Sequence, residues 1–305
     1  MSELRVTHTS EVTEDQIDHL GHMNVRYYAV NASCGTRALL DELGWAGGSY
    51  SVDDVYTRHH REQLVGTPLE VRSGVLAADA DEVRLHHELR ASDSGTLAAT
   101  FIHGVRARDD QGRHASFPGE LVEAATAGVV PQPAHAAART ISLDADPLAV
   151  APSIDTVLDR GLAIRRPRLV AADECHDDGS YRTELAPLLT WGGKPIEGAP
   201  GGVPHETSDG ELMGWASMET RLVVSAWPRA GDRIQSFGAP IQVLDKVTHR
   251  IQWAFDLESG ELLNAFEVVS MAFDIRARRP MAIPELFRRR ELALLQPDLA
   301  PRTLV

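Results

Sequence analysis

This 305-residue sequence predicts an α+β protein built as two modules in tandem, each an antiparallel sheet set against one long helix. Three observations carry that expectation. A set of residues recurs at a constant offset, hairpin turns fall at matching places, and a long capped helical pattern precedes the first set of strands.

The helix comes first in the chain. From Val25 to Leu43, Tyr28, Ala32, Gly35, Leu39 and Leu43 fall on one stripe at helical spacing. Asn24 is a favoured residue just before a helix and Gly44 a favoured one just after it. The small residues in mid-stripe let such a helix lie close to a sheet. Strands follow near Leu69–Ala77, Val83–Ala91 and Leu97–Arg106, with a tight turn at Asp93-Ser94-Gly95-Thr96. Gly66, Ser94, Gly95, Leu97, Phe101 and Asp109 then recur, 165 residues later, as Gly231, Ser259, Gly260, Leu262, Phe266 and Asp274. The second set of strands is expected near Arg233–Leu244, Thr248–Leu257 and Leu262–Ile275, turning at Glu258-Ser259-Gly260-Glu261. Residues 1–125 form the first module, 126–155 an Ala/Pro-rich connection, and 156–305 the second module. The second helix candidate, Tyr181–Leu189, is short and broken by Pro187. A Gly/Pro-rich loop at Gly192–Gly214 reads either as a lid or as a surface insertion.

Composition narrows the function classes. With 43% hydrophobic and 24% charged residues, the chain is that of a soluble globular protein. No apolar run approaches the roughly 18 residues of a membrane span, and no membrane partner is expected. The first residues lack a secretory pattern, and two cysteines are too few for a disulfide framework, so a cytoplasmic protein is expected. A net charge of -14 opposes broad nucleic-acid binding. The arginine groups at 276–279 and 288–290 read as solvated surface or a helix end.

Chemistry concentrates in Ile17-Asp18-His19-Leu20-Gly21-His22-Met23-Asn24, which runs straight into the helix. A capped helix start with a glycine turn accounts for Asn24 and Gly21. It does not account for Asp18, His19 and His22 crowding the same turn. The string resembles the signature of the hotdog-fold acyl thioesterases, roughly D-x-x-G-H-V-N-N-x-x-Y, and with the repeat the resemblance covers most of the chain. It implies two tandem hotdog modules, each an antiparallel sheet wrapped around one long helix. In such folds, clefts between paired modules hold the thioester of coenzyme A or of a phosphopantetheine carrier.

The resemblance implies a catalytic carboxylate at Asp18, acting as nucleophile or as general base, with His22 at the family's G-H position. It makes the backbone N–H near Val25 the donor for the developing oxyanion, with Asn24 as cap and substrate contact. Tyr28 matches the family's aromatic position, although a helix aromatic at core spacing also serves packing. His59-His60-Arg61-Glu62-Gln63-Leu64-Val65-Gly66 resembles the Y-x-R-E segment of plant acyl-carrier-protein thioesterases, which makes Glu62 a partner base. The plant pattern has asparagines where this chain has Leu20 and Val25, and Glu62 reads equally as an exposed strand-end glutamate. His59 and His60 would face opposite ways on a strand; His60 is the one assigned to the substrate side.

In the second half, Asp173-Glu174-Cys175-His176-Asp177-Asp178-Gly179 stands where an active loop belongs, but the G-H-x-N string is missing. This module is expected to be a degenerate copy. Neighbouring Cys, His and acids without a second cluster do not make a metal site, so neither metal nor cofactor is expected. There is no G-x-S-x-G, P-loop, dinucleotide or HExxH pattern. Hydrolysis of an acyl thioester is the leading expectation. A hotdog enoyl-thioester hydratase or dehydratase is the alternative enzyme, weakened by the missing G-D-x-N-P run. A non-catalytic acyl-thioester binding protein is the third reading. Association into a homodimer or higher assembly is left open, since an internal pair already meets the fold's need for two modules.

Overall fold

The computed structural model describes residues 3–18, 20–177, 179–196, 205–207 and 210–302. It divides into two compact units, residues 1–137 with 182–185, and residues 138–181 with 186–305. Among the described residues no helix is long and apolar enough to cross a membrane.

The first unit is an antiparallel sheet of β1 (Arg5–Glu11), β2 (Tyr50–His59), β3 (Pro68–Ala78), β4 (Val83–Ala91) and β5 (Leu97–Arg108), in the order β1-β3-β4-β5-β2. A short β6 (His114–Ala115) pairs with β5. The sheet packs on α1 (Val25–Leu40), whose buried face includes Tyr28, Ala32, Gly35 and Leu39 as the stripe predicts. The contact is close because position 35 has no side chain: a Cβ there would come within 2.7 Å of Val71 Cγ1. The helix ends three residues before the expected Leu43, passing into a wider turn over Asp41–Trp45 in which Gly44 takes a left-handed φ of 94°. A second helix, α2 (Gly119–Ala127), buries Leu121 and Ala125 beside Leu39, Leu43 and Val105.

Under α1 the core is not wholly apolar. Thr36 Oγ1 lies 3.0 Å from His87 Nε2 and 2.8 Å from His103 Nδ1, and Ser73 Oγ lies 2.6 Å from His87 Nδ1. Burial holds both imidazoles neutral, pushing His103 down to about 3 and His87 well below its usual range.

The second unit repeats the strand plan. A two-residue β7 (Arg168–Leu169) and β8 (His205–Glu206) accompany β9 (Leu212–Val224), β10 (Arg233–Val243), β11 (Val247–Asp256) and β12 (Leu262–Asp274). The order is β9-β12-β11-β10-β7, with β8 on β9 and β13 (Arg279–Pro280) on β12. Registers match the sequence repeat. Phe101 faces Thr57 and His87, and Phe266 faces Leu222 and Gln252. Gly95 and Gly260 turn the corresponding hairpins at φ 68° and 74°.

The helices differ between the units. The candidate at Tyr181–Leu189 is not one helix: Thr183–Leu185 is a single tight turn packed on α1 in the first unit. After a short α3 (Ile154–Asp159), the one-turn α4 (Leu188–Trp191) lies on β10, β11 and β12, Trp191 against Phe266 with ring centroids 4.7 Å apart. Pro187 explains the break, since it cannot donate within a helix and disfavours helical geometry before it. α5 (Glu285–Ala293) packs on β10, and its Glu291 forms a buried ion pair with Arg250.

The Ala/Pro-rich connection is fastened to strands in both units. In the first, Arg58 Nη1 donates to the carbonyls of His135 and Ala137 at 2.8 and 3.1 Å. In the second, the buried Glu219 carboxylate accepts the N–H groups of Arg139, Thr140 and Ile141 at 2.9, 3.0 and 3.3 Å. Of the loop at 192–214, residues 197–204, 208 and 209 lie outside the described residues, and so does the lid reading. The arginines at 276–279 and 288–290 meet surface acids and carbonyls, for example Arg276 with Glu206 at 3.0 Å and Arg289 with Glu285 at 2.6 Å.

Candidate active site in the first unit

The turn before α1 is closed by its own backbone. Asp18 N–H donates to His22 O at 2.9 Å, Gly21 N–H to Asp18 O at 3.0 Å, and Ile17 and Met23 form a bridge across its neck. Gly21 sits at φ 83°, a conformation that favours glycine. This closed turn puts Asp18 and His22 on the same side. Asp18 Oδ1 accepts Leu20 N–H at 2.8 Å, leaving Oδ2 3.6 Å from His22 Nδ1.

Glu62 arrives from the far end of β2. His60 and Arg61 N–H both donate to Ala98 O, at 2.8 and 3.1 Å, which ends the regular ladder and turns the chain outward. Glu62 Oε1 then lies 3.6 Å from His22 Nε2. One imidazole therefore stands between two carboxylates, at the same distance from each. The Asp18 and His22 side chains are only 14% and 16% exposed, whereas Glu62 keeps 37%. Such an arrangement can polarise a bound water and take up its proton, with the imidazolium stabilised from both sides.

The expected ligand-side residues fall out differently from one another. Asn24 caps α1, its Oδ1 accepting Arg26 N–H at 3.1 Å, so this oxygen is occupied by the helix. Val25 N–H has no acceptor among the described residues, as first-turn amides usually do not. Tyr28 is turned inward and buried; its hydroxyl donates to Arg61 O at 3.2 Å and its ring meets His59 edge-on, centroids 5.4 Å apart. Burial drives the Tyr28 phenol well above its normal pKa and takes His59 down to about 4. His60 is half-buried, just past the strand end. His19 lies outside the described residues.

The second unit builds the same turn with other side chains. His176 N–H donates to Ser180 O at 2.8 Å, Gly179 N–H to His176 O at 2.9 Å, and Cys175 and Tyr181 form the bridge. Gly179 has φ 82°. Ser225 and Ala226 N–H share Leu263 O at 2.8 and 3.2 Å, as His60 and Arg61 share Ala98 O. Position by position, His176 replaces Asp18, Ser180 replaces His22 and Trp227 replaces Glu62. Trp227 stacks on Tyr181 with centroids 6.0 Å apart. The segment expected to stand in place of an active loop thus keeps the backbone turn, with Gly179 in the place of Gly21, while the G-H-x-N string is missing.

Comparison with known proteins places the first unit and the overall fold. Residues 12–125 match the model of the thioesterase-like superfamily. A betainyl-CoA thioesterase of Pseudomonas aeruginosa is 27% identical over 130 residues, covering 40% of this chain and 82% of that protein. An acyl-ACP thioesterase from Bacteroides thetaiotaomicron shares the fold with TM-score 0.59 at 10% identity, over 86% of this chain and 96% of its own. A 12:0-ACP thioesterase from Umbellularia californica does so with TM-score 0.60 at 10% identity, over 87% and 93%. The chain therefore has the doubled hotdog architecture of these two acyl-ACP thioesterases, and its first unit, over residues 12–125, is similar to the thioesterase-like superfamily.

Proposed function

We propose that the first unit hydrolyses an acyl-CoA thioester, with Asp18 as general base, His22 as its imidazole partner and Glu62 as the second carboxylate. The observation that carries this reading is His22, 3.6 Å from a carboxylate on each ring nitrogen beside the start of α1. Water attacks the thioester carbonyl carbon while its proton passes to the Asp18–His22 pair. The carbonyl oxygen gains negative charge opposite Val25 N–H, where the helix dipole favours it. Collapse of the tetrahedral intermediate breaks the C–S bond, and the departing thiolate takes up the proton.

General-base action suits three groups in a row, since a carboxylate attacking directly needs no relay behind it. Coenzyme A as carrier is supported by the name of the Pseudomonas relative and by the chain's net charge of -14, which disfavours a close encounter with an acidic carrier protein. The polypeptide is read as a soluble cytoplasmic enzyme.

Thiol release from a panel of acyl-CoAs, compared with the same acyl groups on a carrier protein, tests the substrate class. Release from the carrier form alone overturns the CoA assignment. Two measurements test the role of Asp18: heavy oxygen from water appearing in the enzyme's carboxylate after a single turnover, or an acyl-enzyme anhydride trapped by hydroxylamine, refutes general-base action, and the absence of both supports it. Binding without thiol release by the intact chain would sink the hydrolytic mechanism.

A further inference from the structure

Between Arg61 and Gly66 the chain is exposed at every position but one, and that one is the polar Gln63, 3% exposed. An apolar residue would be the ordinary choice for an inward position, because a buried amide costs free energy unless its hydrogen bonds are made. Gln63 makes them within its own loop. Its Nε2 donates to Glu62 O at 2.9 Å and to Arg61 O at 3.3 Å. Its main-chain carbonyl accepts Met23 N–H at 2.8 Å, tying the loop to the residue next to His22. Tyr28 closes the other side, its hydroxyl donating to Arg61 O at 3.2 Å.

We infer that Gln63 is a positioning residue of the hydrolysis: it fixes the peptide that carries Glu62 and locks it to the His22 turn, so that the Glu62 carboxylate is held at the imidazole. This rests on the reading that His22 and Glu62 take part in the reaction. Glu62 has a partly solvated side chain on an exposed loop. The backbone carbonyls on both sides of its α-carbon are bonded by one buried amide. Tyr28 acts in the same sense, through Arg61.

Five variants test this with a chosen acyl-CoA: Glu62→Gln, Gln63→Met, the double variant, and Tyr28→Phe with and without Glu62→Gln. Gln63→Met removes the donor at similar volume and should lower kcat by about tenfold or more, a part of the roughly hundredfold or larger loss expected for removing an acid–base partner. KM should stay within about twofold, since Gln63 touches backbone rather than substrate. The pH profile of kcat should take the form given by Glu62→Gln. In the Glu62→Gln background, Gln63→Met should cost nothing further, because a positioning residue has no effect once the group it positions is gone. Equal losses in both backgrounds would mean a merely structural role and overturn the inference. A lowered kcat for Glu62→Gln with none for Gln63→Met would also overturn it, while leaving the catalytic reading intact. No effect of Glu62→Gln would instead remove the catalytic reading on which the inference rests. Should Gln63→Met fail to fold, Tyr28→Phe carries the same cycle, since it takes one donor from Arg61 O without changing the shape of the ring.

Discussion

Asp18 and His176 occupy the same corner of two copies of one turn, each with its N–H on the carbonyl four residues ahead, at 2.9 and 2.8 Å. Only the first copy puts a carboxylate there. The second unit has the same backbone geometry with a different side-chain set, and this asymmetry sets the first two predictions.

Asp18→Asn keeps the side chain's size and its acceptor for Leu20 N–H, yet removes the base. Thiol release is expected to fall by about a hundredfold or more, with the melting temperature nearly unchanged. Retention of more than a tenth of the wild-type kcat would refute the role of Asp18.

His176→Ala, Ser180→Ala and Trp227→Phe should each leave kcat within about twofold, as expected for groups that form no transition-state contact. Trp227→Phe keeps an aromatic ring against Tyr181, so folding is preserved. A loss in kcat comparable to that of Asp18→Asn would show that the second turn carries chemistry of its own.

Gly35→Ala tests how closely α1 lies on its sheet. The added Cβ would stand 2.7 Å from Val71 Cγ1 and 3.1 Å from Ser73 Oγ. Overpacking of this kind costs about 1–3 kcal/mol, despite the better helix propensity of alanine. Urea denaturation followed by circular dichroism measures it; an unchanged or raised midpoint would show that the sheet can yield.

Glu219→Leu leaves the N–H groups of Arg139, Thr140 and Ile141 without their acceptor. Each buried unpaired donor costs about 1–3 kcal/mol, part of which water regains if the segment lifts away. Limited proteolysis should then cut between residues 138 and 146 at protease levels that spare the wild type. Equal resistance of the two proteins would contradict the fastening.

The buried imidazoles of His87 and His103 predict a sloping acid limb of stability. Both are held neutral in the folded chain, so the unfolded chain binds more protons below the ordinary histidine value of 6.5. Their stability contribution is complete above pH 6.5 and is lost as pH falls from there toward about 3 for His103. Each group loses up to about 1.4 kcal/mol per pH unit in that window. Denaturant midpoints at several values between pH 7.5 and 4.5 follow the slope. His103→Asn, which keeps a polar partner for Thr36, should flatten it, and an undiminished slope in that variant would assign it elsewhere.

The sequence by itself determined what rests on local pattern. The stripe on α1, its Asn24 cap, both sets of three meander strands and the 165-residue repeat were all legible, because each is written in spacing, turn glycines or capping residues. The string from Asp18 to Asn24 was legible as a glycine turn carrying Asp18 and His22 into the helix for the same reason. Strands β1 and β2 were not. β1 is a polar edge strand, and β2 carries adjacent Asp53 and Asp54 across a bulge, where Asp53 is neutralised by Arg108 at 2.9 Å from a distant strand. No alternation rule anticipates an acid whose partner is 55 residues away.

Tertiary structure decided the rest. It brought Glu62 to His22 from another element, turned Tyr28 and Gln63 inward to hold the loop between them, and put Trp227 where a second carboxylate would have stood. The physical reason is that side-chain identity and local spacing fix which conformations a segment prefers. Distances between segments depend on how the sheet and α1 pack, and only that packing converts three separated ionisable residues into neighbours.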